Sequence, residues 1–179
     1  MRMSRLTLPQ KVSLAVSSCW GALLLFLPDE FSKYRVAFYN RIGCKIHPRA
    51  SISPNVRIKG RFEMGEGSSI AQNCSISGES AGVFIGKNVM IAPNVVIVAF
   101  DHGHRRTDSP MVAQANVESP VIIEDDVWIA ANVTIGKGVT IGRGTVIGAN
   151  SFVRQSIPEF SIAGGVPAKV VGSRVENAR

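Results

Sequence analysis

From Ile46 onward, aliphatic residues return at every sixth position. They stand at Ile46, Ile52, Ile58, Met64, Ile70 and Ile76, resume at Ile85, Ile91 and Ile97, and resume again from Ile123 through Ile129, Ile135, Ile141 and Ile147 to Val153. The fifth position of each unit is mostly small or β-branched, as at Ala50, Val56, Cys74, Val95, Val133 and Ser151. A helix with ~3.6 residues per turn would scatter such a series around its cylinder. Simple strand alternation has a period of two. A three-sided prism accounts for the spacing: each hexad forms a short strand and a corner, and three hexads complete a coil. The aliphatic and fifth-position side chains then point inward. The glycines that follow the aliphatic residue, such as Gly65, Gly86, Gly136, Gly142 and Gly148, are expected at corners that require positive φ. The predicted architecture is mainly β, a parallel β-helix of about five coils.

The interruptions share one register. Numbering the faces from Ile46, both Ile76 and Ile97 begin third faces. The short insertion around Ser77–Phe84 follows the first, and the long loop, about 99–122, follows the second. Both insertions therefore leave the prism from the same edge, one coil or ~4.8 Å apart. Long loops in compact folds are usually functional, so this edge is the candidate site. Glu79 is expected near the start of the second loop.

Residues 1–45 form a separate N-terminal helical segment, and 46–179 the β-helix domain with a C-terminal tail. Arg2, Arg5 and Lys11 precede an apolar run from Val12 to Leu27, which Pro28 ends. The run is short of the ~20 residues that span a bilayer, and no small-x-small cleavage site follows it. It reads as a helix that packs on the body or on a neighbouring subunit, or that lies at a membrane interface. A second helix is expected over about Glu30 to Ile42, stopped by Gly43.

The formal charge of +7 points to an anionic partner. With two Trp, two Tyr and no basic-aromatic cluster, nucleic acid is not expected. Cys19, Cys44 and Cys74 are far apart and odd in number, which fits a reducing, cytoplasmic compartment, peripheral to the inner membrane if the N-terminal segment touches it.

The hexads, the Ile123-Glu124-Asp125-Asp126-Val127-Trp128-Ile129 stretch and the closing Ala163-Gly164-Gly165-Val166-Pro167-Ala168-Lys169 resemble the hexapeptide-repeat acyltransferases. The chain looks most like the maltose- and galactoside-acetyltransferase group and the O-acetyltransferases of surface polysaccharides. The resemblance implies a left-handed coil, a homotrimer, acetyl-CoA as co-substrate, no metal, and a sugar or polysaccharide acceptor. It places His102 at the position of the family's base. The hexad register agrees, putting His102 outside the core. Asp101, at the inward fifth position, is expected to orient His102 or to fix the loop. Acyl transfer needs such a base and donors for the oxyanion.

Ala131 and Ala149 match positions whose backbone meets CoA, with Trp128 in the same groove. Arg154 stands where the family has Thr, so Lys169 is the better phosphate contact. Asn73 and Glu79 are the acceptor candidates. Two other readings stay open: a non-catalytic β-helix scaffold, and a zinc hydratase of the γ-carbonic-anhydrase type, which would draw on His47, His102 and His104.

Overall fold

The structure is a computed structural model and describes residues 21–175. Short parallel strands stack into a column with three faces. Ile46, Met64, Ile85, Ile123 and Ile141 align across face one. Ile52, Ile70, Ile91, Ile129 and Ile147 align across face two. Ile58, Ile76, Ile97, Ile135 and Val153 align across face three. The period of six thus reads out as three columns, one side chain per face per coil. All of these side chains are buried, as are fifth-position Val56, Val95, Val127 and Val133. The chain completes five coils and begins a sixth, with Ile157 under Ile141 and Ala163 beside Ile147. The sixth coil escapes the periodicity because Ile157 follows Val153 after four residues rather than six.

The corners are made differently from the expectation. Positive φ falls three residues after the inward aliphatic, at Asn94, Asn132, Asn150, Asp126, Gly138 and Gly144 among others. Asn and Asp adopt this left-handed region more readily than other non-glycine residues. After face two the corner asparagines form a ladder: Asn55 Nδ2 donates to Asn73 Oδ1 (2.8 Å), Asn94 to Asn132 (3.1 Å) and Asn132 to Asn150 (3.1 Å). The glycines directly after the aliphatic residue are not among the positive-φ residues. At Gly65 the reason is proximity, since a β-carbon there would stand 2.6 Å from the Gly86 carbonyl oxygen of the next coil.

A helix over Ser32–Arg41 caps the first coil, close to the predicted span, and Gly43 follows it with φ of 108°. Residues 21–26 end an earlier helix; the rest of the run from Val12, and Cys19, lie outside the described residues. The cap satisfies backbone groups that a first coil would leave open. Asn40 pairs with both the N–H and the C=O of Ile46 (2.7 and 2.9 Å), as a neighbouring strand would. Ser32 Oγ accepts from the Ile52 N–H (2.8 Å), and buried Arg35 donates Nε to the Ile52 carbonyl (2.7 Å). Arg35 also donates to Leu27 and Pro28 carbonyls (2.8 and 3.1 Å), tying the earlier segment down. Tyr39 donates its hydroxyl to the Val56 carbonyl (2.7 Å). At the other end, Ser161–Gly165 folds back antiparallel on Ala168–Ser173. No helix among the described residues is long and apolar enough to cross a membrane. Cys44 and Cys74 are buried and free, and burial pushes both thiols up, away from the reactive thiolate.

The columns carry the stability. Ile135→Ala, at a site with no exposed surface, should cost about 2–5 kcal/mol in denaturant unfolding. Ile122→Ala, on the outside of face one, should cost under about 1.5 kcal/mol.

Candidate active site

Both insertions leave from the edge between faces three and one. The short one runs within the strand Ser75–Ile85, whose pairing with Arg57–Met64 slips around Gly60. The long one departs after the Val96–Val98 strand and returns at Val121–Ile123. The two touch, as their shared edge implies. The contact differs from the expected one: Glu118 of the long loop, not Glu79, makes it. The Glu118 carboxylate accepts from the backbone N–H groups of Ser80 (3.0 Å) and Ala81 (3.1 Å) and from the Ser80 hydroxyl. Glu79 instead lies across from Gly60 and pairs with Lys59 (2.8 Å).

The root of the long loop is a small antiparallel ladder. Phe100 pairs with Glu118 and Asp101 with Val117. One step further, His102 faces Asn116, and His102 Nδ1 meets Asn116 Oδ1 at 3.0 Å. An amide oxygen only accepts, so Nδ1 is the donor in this contact, and in the neutral ring the lone pair then lies on Nε2. His102 is exposed, and its ring stands edge-on to Phe100 with centroids 5.5 Å apart. Gly103 is needed beside it: a β-carbon there would sit 2.5 Å from the Ala115 carbonyl oxygen. His104 turns its Nδ1 back to the His102 carbonyl (2.9 Å). Gln114 donates to the Arg106 and Ser109 carbonyls (2.9 and 3.1 Å) and closes the tip.

Asp101 corrects one expectation. It is exposed rather than inward, and it binds Lys137 Nζ at 2.8 Å. The hexad register stops at buried Ala99, because the chain leaves the prism there and the ladder takes over. Asp101 thus contacts the prism through Lys137, and the imidazole contact is made by Asn116.

The remaining candidates lie elsewhere. Trp128 sits half-exposed on the outside of face two, beside Met90 and Val146. Ala131 and Ala149 occupy equivalent places, one coil apart, at the corner between faces two and three, where the Ala131 carbonyl accepts from Asn150 N (3.0 Å). Lys169 is exposed in the closing hairpin and pairs with Gly164. Arg154 is exposed just beyond Val153. Asn73 belongs to the asparagine ladder. His102 and the Ala131–Ala149 corner therefore stand at opposite ends of face three, about 15 Å apart at ~3.3 Å per residue over some five residues. Among the described residues, no three His, Cys, Asp or Glu side chains converge as a metal site would require.

Sequence reasoning missed Asn116, Glu118, Ser80 and Lys137. Within the loop no period operates, so only the ladder register, which the sequence does not display, could have singled them out.

Comparison with known proteins agrees with this architecture. The profile of the bacterial transferase hexapeptide (six repeats) matches residues 120–155. Residues 120–155 thus carry the hexapeptide repeat of bacterial transferases, and the column as a whole is a left-handed parallel β-helix. In particular, the chain is 44% identical over 90 residues to a presumed acetyltransferase of Mycobacterium tuberculosis, covering 50% of this chain and 30% of that protein. It is 41% identical over 97 residues to WbbJ of Escherichia coli K12, presumed to be a lipopolysaccharide biosynthesis O-acetyl transferase, covering 50% and 49%. The chain thus spans half or less of the length of these curated relatives. A hexapeptide-repeat acetyltransferase of Vibrio cholerae, solved with acetyl coenzyme A, superposes with a TM-score of 0.74 at 25% identity, covering 98% of this chain and 94% of that one.

The imidazole geometry makes a direct prediction. Nitrogen-15 NMR should find neutral His102 protonated on Nδ1, and Asn116→Leu should shift it toward a mixture of tautomers. A wild-type proton on Nε2 would contradict the arrangement.

Proposed function

We propose that the chain is an acetyl-CoA-dependent acetyltransferase that O-acetylates a sugar hydroxyl of a bacterial surface polysaccharide or a related glycoside. The observation that carries the reading is His102, held by Asn116 through Nδ1 (3.0 Å) with Nε2 free, on a loop of the hexapeptide column. The relatives' names support the donor and the acceptor class: one is solved with acetyl coenzyme A and one is linked to lipopolysaccharide biosynthesis.

In the proposed reaction, Nε2 takes the proton from the acceptor hydroxyl as its oxygen attacks the thioester carbonyl. The new C–O bond forms, the C–S bond breaks, and the imidazolium returns its proton to the departing CoA thiolate. The Ala131 N–H is the proposed donor to the oxyanion. Trp128, Ala131 and Ala149 would line the pantetheine path, and Lys169 with Arg154 would meet the phosphates. Glu79 shares the loop edge and is the acceptor-side candidate; Asn73, held by the corner ladder, is the weaker one.

Because the base and the donor corner lie at opposite ends of face three, one chain does not close the site. A threefold ring in which the loop edge of one copy meets the corner of the next would do so. The cap exposes Leu23, Phe26 and Tyr34 next to Lys33 and Arg41. The first 28 residues hold three cations and no carboxylate. This composition suits an anionic lipid surface, and we place the enzyme in the cytoplasm against the inner membrane, where a nascent glycan would be met.

The test is thiol release from acetyl-CoA across acceptor classes. Turnover with a saccharide is expected, and His102→Ala should lower it about 10²–10⁴-fold while acetyl-CoA binding survives. Full turnover in that variant would overturn the base assignment. Absence of turnover with every acceptor class would favour a non-catalytic scaffold.

A further inference from the structure

We propose that Glu118 is a positioning residue for this reaction: by locking the long loop to the short insertion, its carboxylate sets the register in which Asn116 faces His102. The inference rests on the acetyltransferase reading above.

The ladder at the root of the loop has only two paired positions, Phe100 with Glu118 and Asp101 with Val117. His102 and Asn116 are the next pair outward, and their side-chain contact depends on that register. A slip of one residue in so short a ladder would send Asn116 to the opposite side and leave the imidazole unheld. Little in the ladder resists a slip, because Val117 is exposed and Phe100 only half-buried.

Two charged contacts supply what packing does not. On one strand, Asp101 is pinned to Lys137 of the prism (2.8 Å). On the other, Glu118 reaches into the short insertion. There Glu79 has φ of 45°, a turn after which the N–H groups of Ser80 and Ala81 converge on one carboxylate oxygen (3.0 and 3.1 Å), joined by the Ser80 hydroxyl. Successive backbone N–H groups after such a turn form an anion-holding nest. Among the described residues, every side-chain hydrogen bond between the two insertions is made by Glu118.

The Ser80 hydroxyl first, and then the two amides, hold the Glu118 carboxyl below its ordinary range. The lock is therefore complete above the ordinary carboxylate value and is lost only as the pH falls through the lowered one. It stays closed throughout the range in which an imidazole can act as a base.

The experiment compares Glu118→Ala, Glu118→Gln and Ser80→Ala with wild type in the full-length protein, after thermal unfolding has shown each to be folded. Glu118→Ala should lower kcat about tenfold or more with the KM for acetyl-CoA unchanged, and should speed hydrogen exchange at the Ser80 and Ala81 amides. Glu118→Gln keeps an accepting carbonyl oxygen and should fall between Glu118→Ala and wild type. Ser80→Ala, outside the ladder, should cause a smaller loss of kcat. Unchanged kcat in Glu118→Ala despite faster amide exchange would overturn the proposal, as would a loss confined to the KM for acetyl-CoA. His102→Ala separates the two failures: if it keeps full turnover, the acetyltransferase base itself is wrong; if it is inactive while Glu118→Ala is not, only the positioning role falls.

Discussion

The structure depends on one stacking constraint. Each face of each coil contributes one inward aliphatic side chain, and that side chain must rest on its counterpart in the next coil, eighteen residues away where no insertion intervenes, as Ile129 rests on Ile147 and Ile135 on Val153. Burial of these columns is the main favourable term, and a parallel sheet hydrogen-bonds every coil to the next. A residue can be added only at an edge from which the chain returns to the column in phase. Both insertions obey this. The aliphatic residues on either side of each, Ile76 with Ile85 and Ile97 with Ile123, fall on consecutive faces. The two insertions, and His102 with them, are therefore confined to one edge.

The same constraint leaves two ends with unpaired backbone. At the first coil the answer is polar mimicry. Asn40 imitates a strand for Ile46, while Ser32 and Arg35 complete Ile52. Burying an arginine is expensive unless its donors are used, and here Arg35 gives them to carbonyls of Ile52, Leu27 and Pro28. The cap therefore joins the N-terminal segment to the prism through hydrogen bonds, buries Tyr39 against the first coil, and leaves Phe26, Phe31 and Tyr34 exposed.

What the sequence made legible follows from this division. The inward series from Ile46 to Val153 named all three columns and the edge from which both insertions leave, because stacking imposes a period. Beyond Ala99 the period no longer applies, so Asp101 was misplaced inward, and Asn116 and Glu118 passed unnoticed. Their partners, His102 and the Ser80–Ala81 amides, are set by a two-pair ladder and a turn, and neither has a sequence signature. The sixth coil was missed where Val153 and Ile157 break the spacing. The corner rule was misread because asparagine, and not only glycine, takes the left-handed turn, as at Asn94 and Asn132.

A rigid three-sided column also separates what the proposed chemistry must unite. His102 hangs from one end of face three, while Ala131 and Ala149 lie at the other, and no bending of a stacked sheet closes that gap. The proposed acetyl transfer therefore requires reacting groups from two copies of the chain. The most direct test is complementation between two inactive variants, His102→Ala and Ala131→Trp, dissociated, mixed and reassembled. If each mixed assembly regains sites built from one chain's intact loop and its neighbour's intact corner, acetyl transfer reappears on mixing. If the mixture stays as inactive as its components while wild-type chains treated in the same way recover, the base and the donor corner belong to one chain and the account is wrong.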